Sequence, residues 1–345
     1  MGTGPNGWKF HQDGDTHMSR SSVAKRIVIT GASSGIGAAT AIAFARDGAR
    51  VVLAARGEPG LEDIARRCRE AGGTAEVRVL DVTDAEAVAA FASEARDLLG
   101  GIDLWFSCVG VGVVGKYQDV PLDDHQEVIQ ANLLSHMYEA HAVLPIFLQQ
   151  DRGTWVNMIS IGAFVGMPYA AAYAASKFGL RGFSEALRGE LSKRPNIHIC
   201  DVYPTFVDTP AVGHAGNYTG ARLSLPPGSL PPDTVARAVV RLARRPRNST
   251  FVGAPGIGLK LVQFATPNLS AAMMNGFMDV WSRKAERGEV TDGTLFSPPT
   301  TPSGPDGHSR RPEVRRKAAI AAGVTAVSAL AGGALLLLRR GRTDR

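Results

Sequence analysis

Between residues 26 and 253 the chain repeats one unit: a short candidate strand, then a longer helical stretch. The first strand, 26–30, is a β-branched apolar run, and further strands are expected at 50–54, 75–80, 102–107, 154–159, 197–203 and 250–253. Helical stretches follow near 59–71, 84–99, 122–150, 172–193 and 233–244. A strand covered by helices on both sides reads as unbroken apolar sequence, whereas a strand with one wet face alternates. The repeat therefore predicts an α/β fold: a single doubly wound parallel sheet of about seven strands with helices on both faces, spanning 24–255.

The first run leads into Gly31-Ala32-Ser33-Ser34-Gly35-Ile36-Gly37 and then an alanine-rich helix. Glycines let such a turn tighten and approach a ligand's phosphates, while unpaired amides at the helix start attract the anion. This is the Rossmann-type arrangement, with Gly31, Ser33, Ser34, Gly35, Ile36 and Gly37 as candidate dinucleotide-binding residues. A carboxylate ending the second strand would bind the ribose hydroxyls of NAD. The chain has Ala54-Ala55-Arg56 there instead, so Arg56 is expected to pair with a 2′-phosphate, and NADP(H) is expected over NAD(H). Asp81 and Val82, after the third strand, are expected near the adenine, although Asp81 also suits the start of a helix.

Tyr173 and Lys177 stand four residues apart on one helix face. Free tyrosine deprotonates near pH 10, too high for acid–base work at neutral pH. A neighbouring ammonium favours the phenolate and lowers that value, which makes Tyr173 a candidate general acid/base.

With these residues, Asn132 and Ser160, the chain resembles the short-chain dehydrogenase/reductase family over about 24–255. Thr-Gly-x-x-x-Gly-x-Gly, Asn-x-x-Ser, Ser and Tyr-x-x-x-Lys occur in the family's order, with Ser160 thirteen residues ahead of Tyr173. The resemblance implies hydride transfer between NADP(H) and a carbonyl or alcohol. In it Tyr173 exchanges the proton, Ser160 holds the substrate oxygen, Lys177 grips the nicotinamide ribose and Asn132 supports a proton path. It also implies cofactor contacts from Gly110, Pro204, Val207 and Thr209, and assembly as a homodimer or homotetramer. Three stretches depart from the family pattern: Ser107-Cys108-Val109-Gly110 stands for Asn-Asn-Ala-Gly, Thr205 replaces a glycine, and Ser160-Ile161 replaces a doubled serine. A non-catalytic NADP(H)-binding sensor or scaffold on the same fold is therefore the alternative.

The loops after the fifth and sixth strands carry Phe164, Val165, Met167, Phe206, Val212, Leu223 and Leu225, so a lipophilic carbonyl or alcohol substrate is expected. Residues 308–345 hold a net charge of +7, leaving the rest of the 345-residue chain near −1, which argues against nucleic acid as a partner. Cys68, Cys108 and Cys200 match no disulfide or metal spacing, so no metal is expected.

The termini complete the expected organisation. Residues 1–22 read as a disordered N-terminus, 256–285 as a helical extension, 286–317 as a proline-rich basic linker and 339–345 as a basic tail. Residues 318–338 are 21 in number and carry no charge. As a helix they would span roughly 31 Å, enough for a hydrocarbon layer of about 30 Å. The sequence thus predicts a transmembrane helix that anchors the protein to a membrane with its catalytic domain in the cytoplasm, or a cytoplasmic protein if that helix does not insert.

Overall fold

A computed structural model describes residues 26–226, 228–253, 275–276 and 285–307. Seven parallel strands form one sheet: β1 (Arg26–Thr30), β2 (Arg50–Ala55), β3 (Thr74–Val79), β4 (Leu104–Ser107), β5 (Gly153–Met158), β6 (Ile197–Pro204) and β7 (Ser249–Val252). Their spatial order is β3-β2-β1-β4-β5-β6-β7. Ile29 pairs with Leu53 on one side and Phe106 on the other, so β1 is central and buried from both faces. The expected fold class is the observed one.

Helices α1 (Gly35–Arg46), α2 (Glu58–Glu70), α3 (Ala85–Leu99), α4 (Leu122–Ile129), α5 (Ser135–Gln150), α6 (Ala171–Glu190) and α7 (Pro232–Arg244) cover the sheet. One core lies beneath α1, α2 and α7, where Ile29, Phe44, Leu53, Ile64 and Val239 are wholly buried. The other lies beneath α3 and α5, around Trp105, Val143, Phe147 and Trp155. The small side chains of α1 serve this packing: nine of its residues are buried, and six of those nine are Ala or Gly. Helix α3 is closed at both ends. The Asp84 carboxylate accepts from the amides of Glu86 and Ala87, and Gly100 turns left-handed (φ 70°) to end it.

The sheet order reverses between β1 and β4, so the carboxyl ends of these neighbours open a crevice between diverging loops. That crevice is where the site lies. One expected helix is interrupted: 122–150 divides into α4, a π-helical turn over Gln130–Leu134, and α5.

Among the described residues no helix is long and apolar enough to cross a membrane. Residues 318–338, from which the hydrophobic tail was read, lie outside the described residues. The expected transmembrane helix, membrane partner and membrane-anchored placement are corrected on that finding, and the family resemblance stands without them. The helical extension expected over 256–285 also lies outside the described residues, apart from 275–276 and 285, and so does the N-terminal segment 1–22.

Candidate active site

The turn between β1 and α1 depends on missing side chains. Gly31 is left-handed (φ +66°), and a Cβ there would stand 2.9 Å from the Cys108 backbone. A Cβ on Gly37 would run into the Gly31 carbonyl oxygen, and one on Gly35 would lie 3.3 Å from Thr209 Cβ. The helix therefore starts directly against the strand end. Its N-cap, Ser34, makes no side-chain capping bond and the Gly35 amide donates to the Gly304 carbonyl, so the first-turn amides beyond Gly35 are left for other partners.

A cavity of about 770 Å³ opens from this turn. Gly31, Ser33, Ser34, Gly35, Ile36 and Gly37 line its floor. Arg56, Asp81 and Val82 line one end. Asp81 Oδ1 accepts from the Thr83 amide (3.0 Å) and hydroxyl (2.7 Å), which fixes the loop after β3. Gly110, Pro204, Val207 and Thr209 line the opposite end with Ser160, Tyr173 and Lys177. The expected cofactor residues thus meet in one cleft. A glycine floor, the helix-start amides beyond Gly35 and a cationic Arg56 fit a dinucleotide diphosphate with a further phosphate on its ribose.

Asn132 is fully buried and does not line the cavity. It sits in the π-turn, a local widening often found at functional sites. Its amide clamps the loop after β4: Oδ1 accepts from the Val111 amide (2.8 Å) and Nδ2 donates to the Val111 carbonyl (2.9 Å).

Ser160 follows β5, and its Oγ accepts from the Gly162 amide (3.1 Å) and shares a hydrogen bond with the Tyr173 hydroxyl. Lys177 Nζ lies 5.6 Å from the Tyr173 ring centroid and donates to the Met158 carbonyl (3.3 Å). Desolvation lowers the Lys177 pKa to about 8. Desolvation also pushes the Tyr173 phenol upward, partly offset by the Ser160 hydrogen bond. In the protein alone, then, burial outweighs the ammonium that was expected to acidify the phenol.

The Ser107-Cys108 departure has a counterpart on α5. Glu139, fully buried, accepts from Thr30 Oγ1 (3.0 and 3.2 Å) and Trp105 Nε1 (2.6 Å), while Thr30 Oγ1 accepts from the Cys108 amide (3.3 Å). His136, one turn earlier, bonds through Nε2 to the Val109 carbonyl (2.9 Å). Asn132, His136 and Glu139 thus tie the glycine turn to the loop after β4 from one side. Only Asn132 among them was singled out from the sequence; an acid inside an apolar helical stretch was the available signal for Glu139.

Burial raises the Glu139 pKa to about 7, against the donors Trp105 and Thr30. The unfolded carboxyl loses its proton near pH 4.3, so between about pH 4.3 and 7 the folded protein holds one more proton and stability falls as pH rises. Glu139→Gln removes this titration. Its stability relative to the parent should rise by on the order of 3 kcal/mol across that window. Urea melts at pH 5 and pH 8 check this, and parallel profiles for the two proteins would contradict it.

The cavity is apolar toward Val165, Met167, Phe206, Val212, Leu223 and Leu225. Phe164, expected with them, is instead buried against Tyr203 (ring centroids 4.9 Å apart) beneath the Arg181 guanidinium. Thr205 lines the cleft, and its side chain fills the space that the bare Gly253 leaves open.

Residues 286–307, read from sequence as the start of a linker, pack across the cleft mouth. Asn217 and Thr291 exchange backbone hydrogen bonds (2.7 and 3.1 Å), and the Gly35 amide donates to the Gly304 carbonyl (3.0 Å). Leu295 is buried beside Val113, Val120, Val128 and Ala172. The local sequence is rich in Pro and Gly, so its order comes from contacts distant in the chain.

A family profile described as short chain dehydrogenase matches residues 25–217. An uncharacterized oxidoreductase, YxnA of Bacillus subtilis, is 31% identical over 264 residues, covering 76% of this chain and 74% of that protein. The ketoacyl reductase HetN of a Nostoc species is 29% identical over 279 residues, covering 78% and 95%. Among solved structures, an alcohol dehydrogenase from the archaeon Thermococcus sibiricus, complexed with 5-hydroxy-NADP, superposes with a TM-score of 0.59 at 29% identity, covering 66% of this chain and 95% of that one.

Proposed function

The chain belongs to the short-chain dehydrogenase family and is an NAD(P)-dependent oxidoreductase, and from that premise we propose that it interconverts a lipophilic carbonyl and its alcohol with NADP(H). The observation that carries this reading is the grouping of Ser160, Tyr173 and Lys177 at the end of the cleft opposite Arg56. The 5-hydroxy-NADP in the related alcohol dehydrogenase supports the cofactor choice, and so does the absence of an acid after β2, where Ala54-Ala55-Arg56 stands.

When bound, the dinucleotide supplies or accepts the hydride. The chain's own residues handle the proton and the oxygen. Ser160, with one lone pair engaged by the Gly162 amide, donates its hydroxyl hydrogen to the substrate oxygen and fixes it. Tyr173 passes its proton to the same oxygen in reduction and takes it back in oxidation. Lys177, charged below about pH 8, stabilises the phenolate and holds the ribose. Asn132 holds the π-turn against Val111, where a proton path can pass behind Lys177. The apolar wall of Val165, Phe206, Val212 and Leu225 excludes water from the reacting end and favours a substrate without charge.

NADPH oxidation measured with a panel of ketones tests the substrate class. Lipophilic ketones should be turned over with kcat/KM about tenfold or more above size-matched ketones bearing a carboxylate, since a charge in this wall is left unpaired. Equal or better turnover of the charged set would overturn the lipophilic assignment.

A further inference from the structure

Arg56 is held in an unusual way. Its Nη1 donates to the Leu295 carbonyl and its Nη2 to the Thr294 carbonyl, each at 2.8 Å, across 239 and 238 residues of sequence. A guanidinium carries five N–H donors, so these two bonds leave Nε–H and one hydrogen on each terminal nitrogen for another partner. Both partners found among the described residues are neutral carbonyls, so they orient the cation without cancelling its charge. Glu127 feels the Arg56 charge only through space, and Arg56 forms no ion pair with it within 4 Å.

The gripping segment is held independently of Arg56. The Thr294 amide donates to the His214 carbonyl (2.9 Å), and the Leu295 side chain is 1% exposed. Gly293 is left-handed (φ +63°) and pressed against His214 and Ala215, so no side chain fits there. A free arginine at a loop end surrenders rotamer freedom when it binds an anion; one already fixed surrenders much less.

We propose that the strap around Thr294 and Leu295 is a specificity-determining element: it positions Arg56 so that the remaining donors of the guanidinium receive the 2′-phosphate of NADP(H). The strap is then a positioning device, and cofactor choice is set jointly by a residue at the end of β2 and a segment near the other end of the described chain. This rests on the reading of Arg56 as the 2′-phosphate partner, and the test separates the two.

Dissociation constants for NADPH and NADH are measured on the full-length protein by fluorescence titration, without turnover. The set is the parent, Arg56→Ala, Leu295→Ser, Gly293→Val and the Arg56→Ala/Leu295→Ser double variant. Arg56→Ala should abolish the preference for NADPH. Leu295→Ser and Gly293→Val should each weaken NADPH about tenfold while changing NADH less than about twofold, and Leu295→Ser should add nothing in the Arg56→Ala background. Retained NADH binding shows that each variant is folded, and the two strap variants disturb different contacts. Equal loss of both nucleotides in both strap variants, or tighter NADPH binding, would overturn the proposal, the latter marking the strap as a competitor. Preference kept by Arg56→Ala would remove the reading of Arg56 itself. Preference lost by Arg56→Ala but kept by both strap variants would remove the strap's role alone.

Discussion

Tyr173→Phe should lower kcat/KM for ketone reduction by about 10³–10⁴-fold, while the NADPH dissociation constant stays within about twofold of the parent. The substitution removes one hydroxyl and keeps the ring, which packs against the buried cluster of Val113, Val120, Val128, Ala172 and Leu295. Helix α6 and Lys177 need not move, so the loss reads the proton transfer rather than the fold. Ser160 cannot take over, because a serine hydroxyl has no accessible acid at neutral pH and is oriented by the Gly162 amide. Stopped-flow reduction over a range of lipophilic ketone concentrations measures the effect. A drop smaller than about tenfold would mean that another group protonates the oxygen.

Gly37→Ala should weaken NADPH at least about 100-fold and lower the melting temperature, since helix α1 would have to leave the end of β1 to relieve the clash with the Gly31 carbonyl. Moving the helix start displaces the amides expected to hold the diphosphate. Gly182→Ala is the matched control: it lies exposed within α6 with no neighbour within 4 Å of the added methyl group. There the same change should stabilise by about 0.5–1 kcal/mol through helix propensity, with nucleotide binding unaltered. Isothermal titration and thermal melts of the pair check both signs. Tight NADPH binding by Gly37→Ala would show that the turn does not hold the cofactor.

Both predictions use residues legible in the sequence, because their chemistry is local. A glycine turn after an apolar strand, and a tyrosine and lysine one helical turn apart, announce themselves within a few residues. The strands were legible for the same reason: after a leading arginine, β1 is a β-branched run and β2 is wholly apolar, and sheet burial demands that pattern. The π-turn at Gln130–Leu134 was not, since one extra residue in a helical turn leaves composition and capping unchanged. Glu139 was missed because its partner Thr30 lies 109 residues away. The Tyr173 environment was half legible: sequence displays the ammonium four residues on, but not the burial that works against it. The strap reads as a linker because Pro298, Pro299 and Pro302 carry no secondary-structure signal, and its order depends on Asn217 and His214, distant in the chain.

If the proposed chemistry holds, this cleft brings a carbonyl carbon to the nicotinamide with Tyr173 at its oxygen. NADPH deuterated at C4 on the transferring face, incubated with a ketone the enzyme reduces, tests it by mass spectrometry of the alcohol. The parent protein should place one deuterium on the carbinol carbon, and Tyr173→Phe should form almost none of that alcohol in the same time. Tight nucleotide binding with no label in any alcohol, or equal labelling by the two proteins, would contradict it.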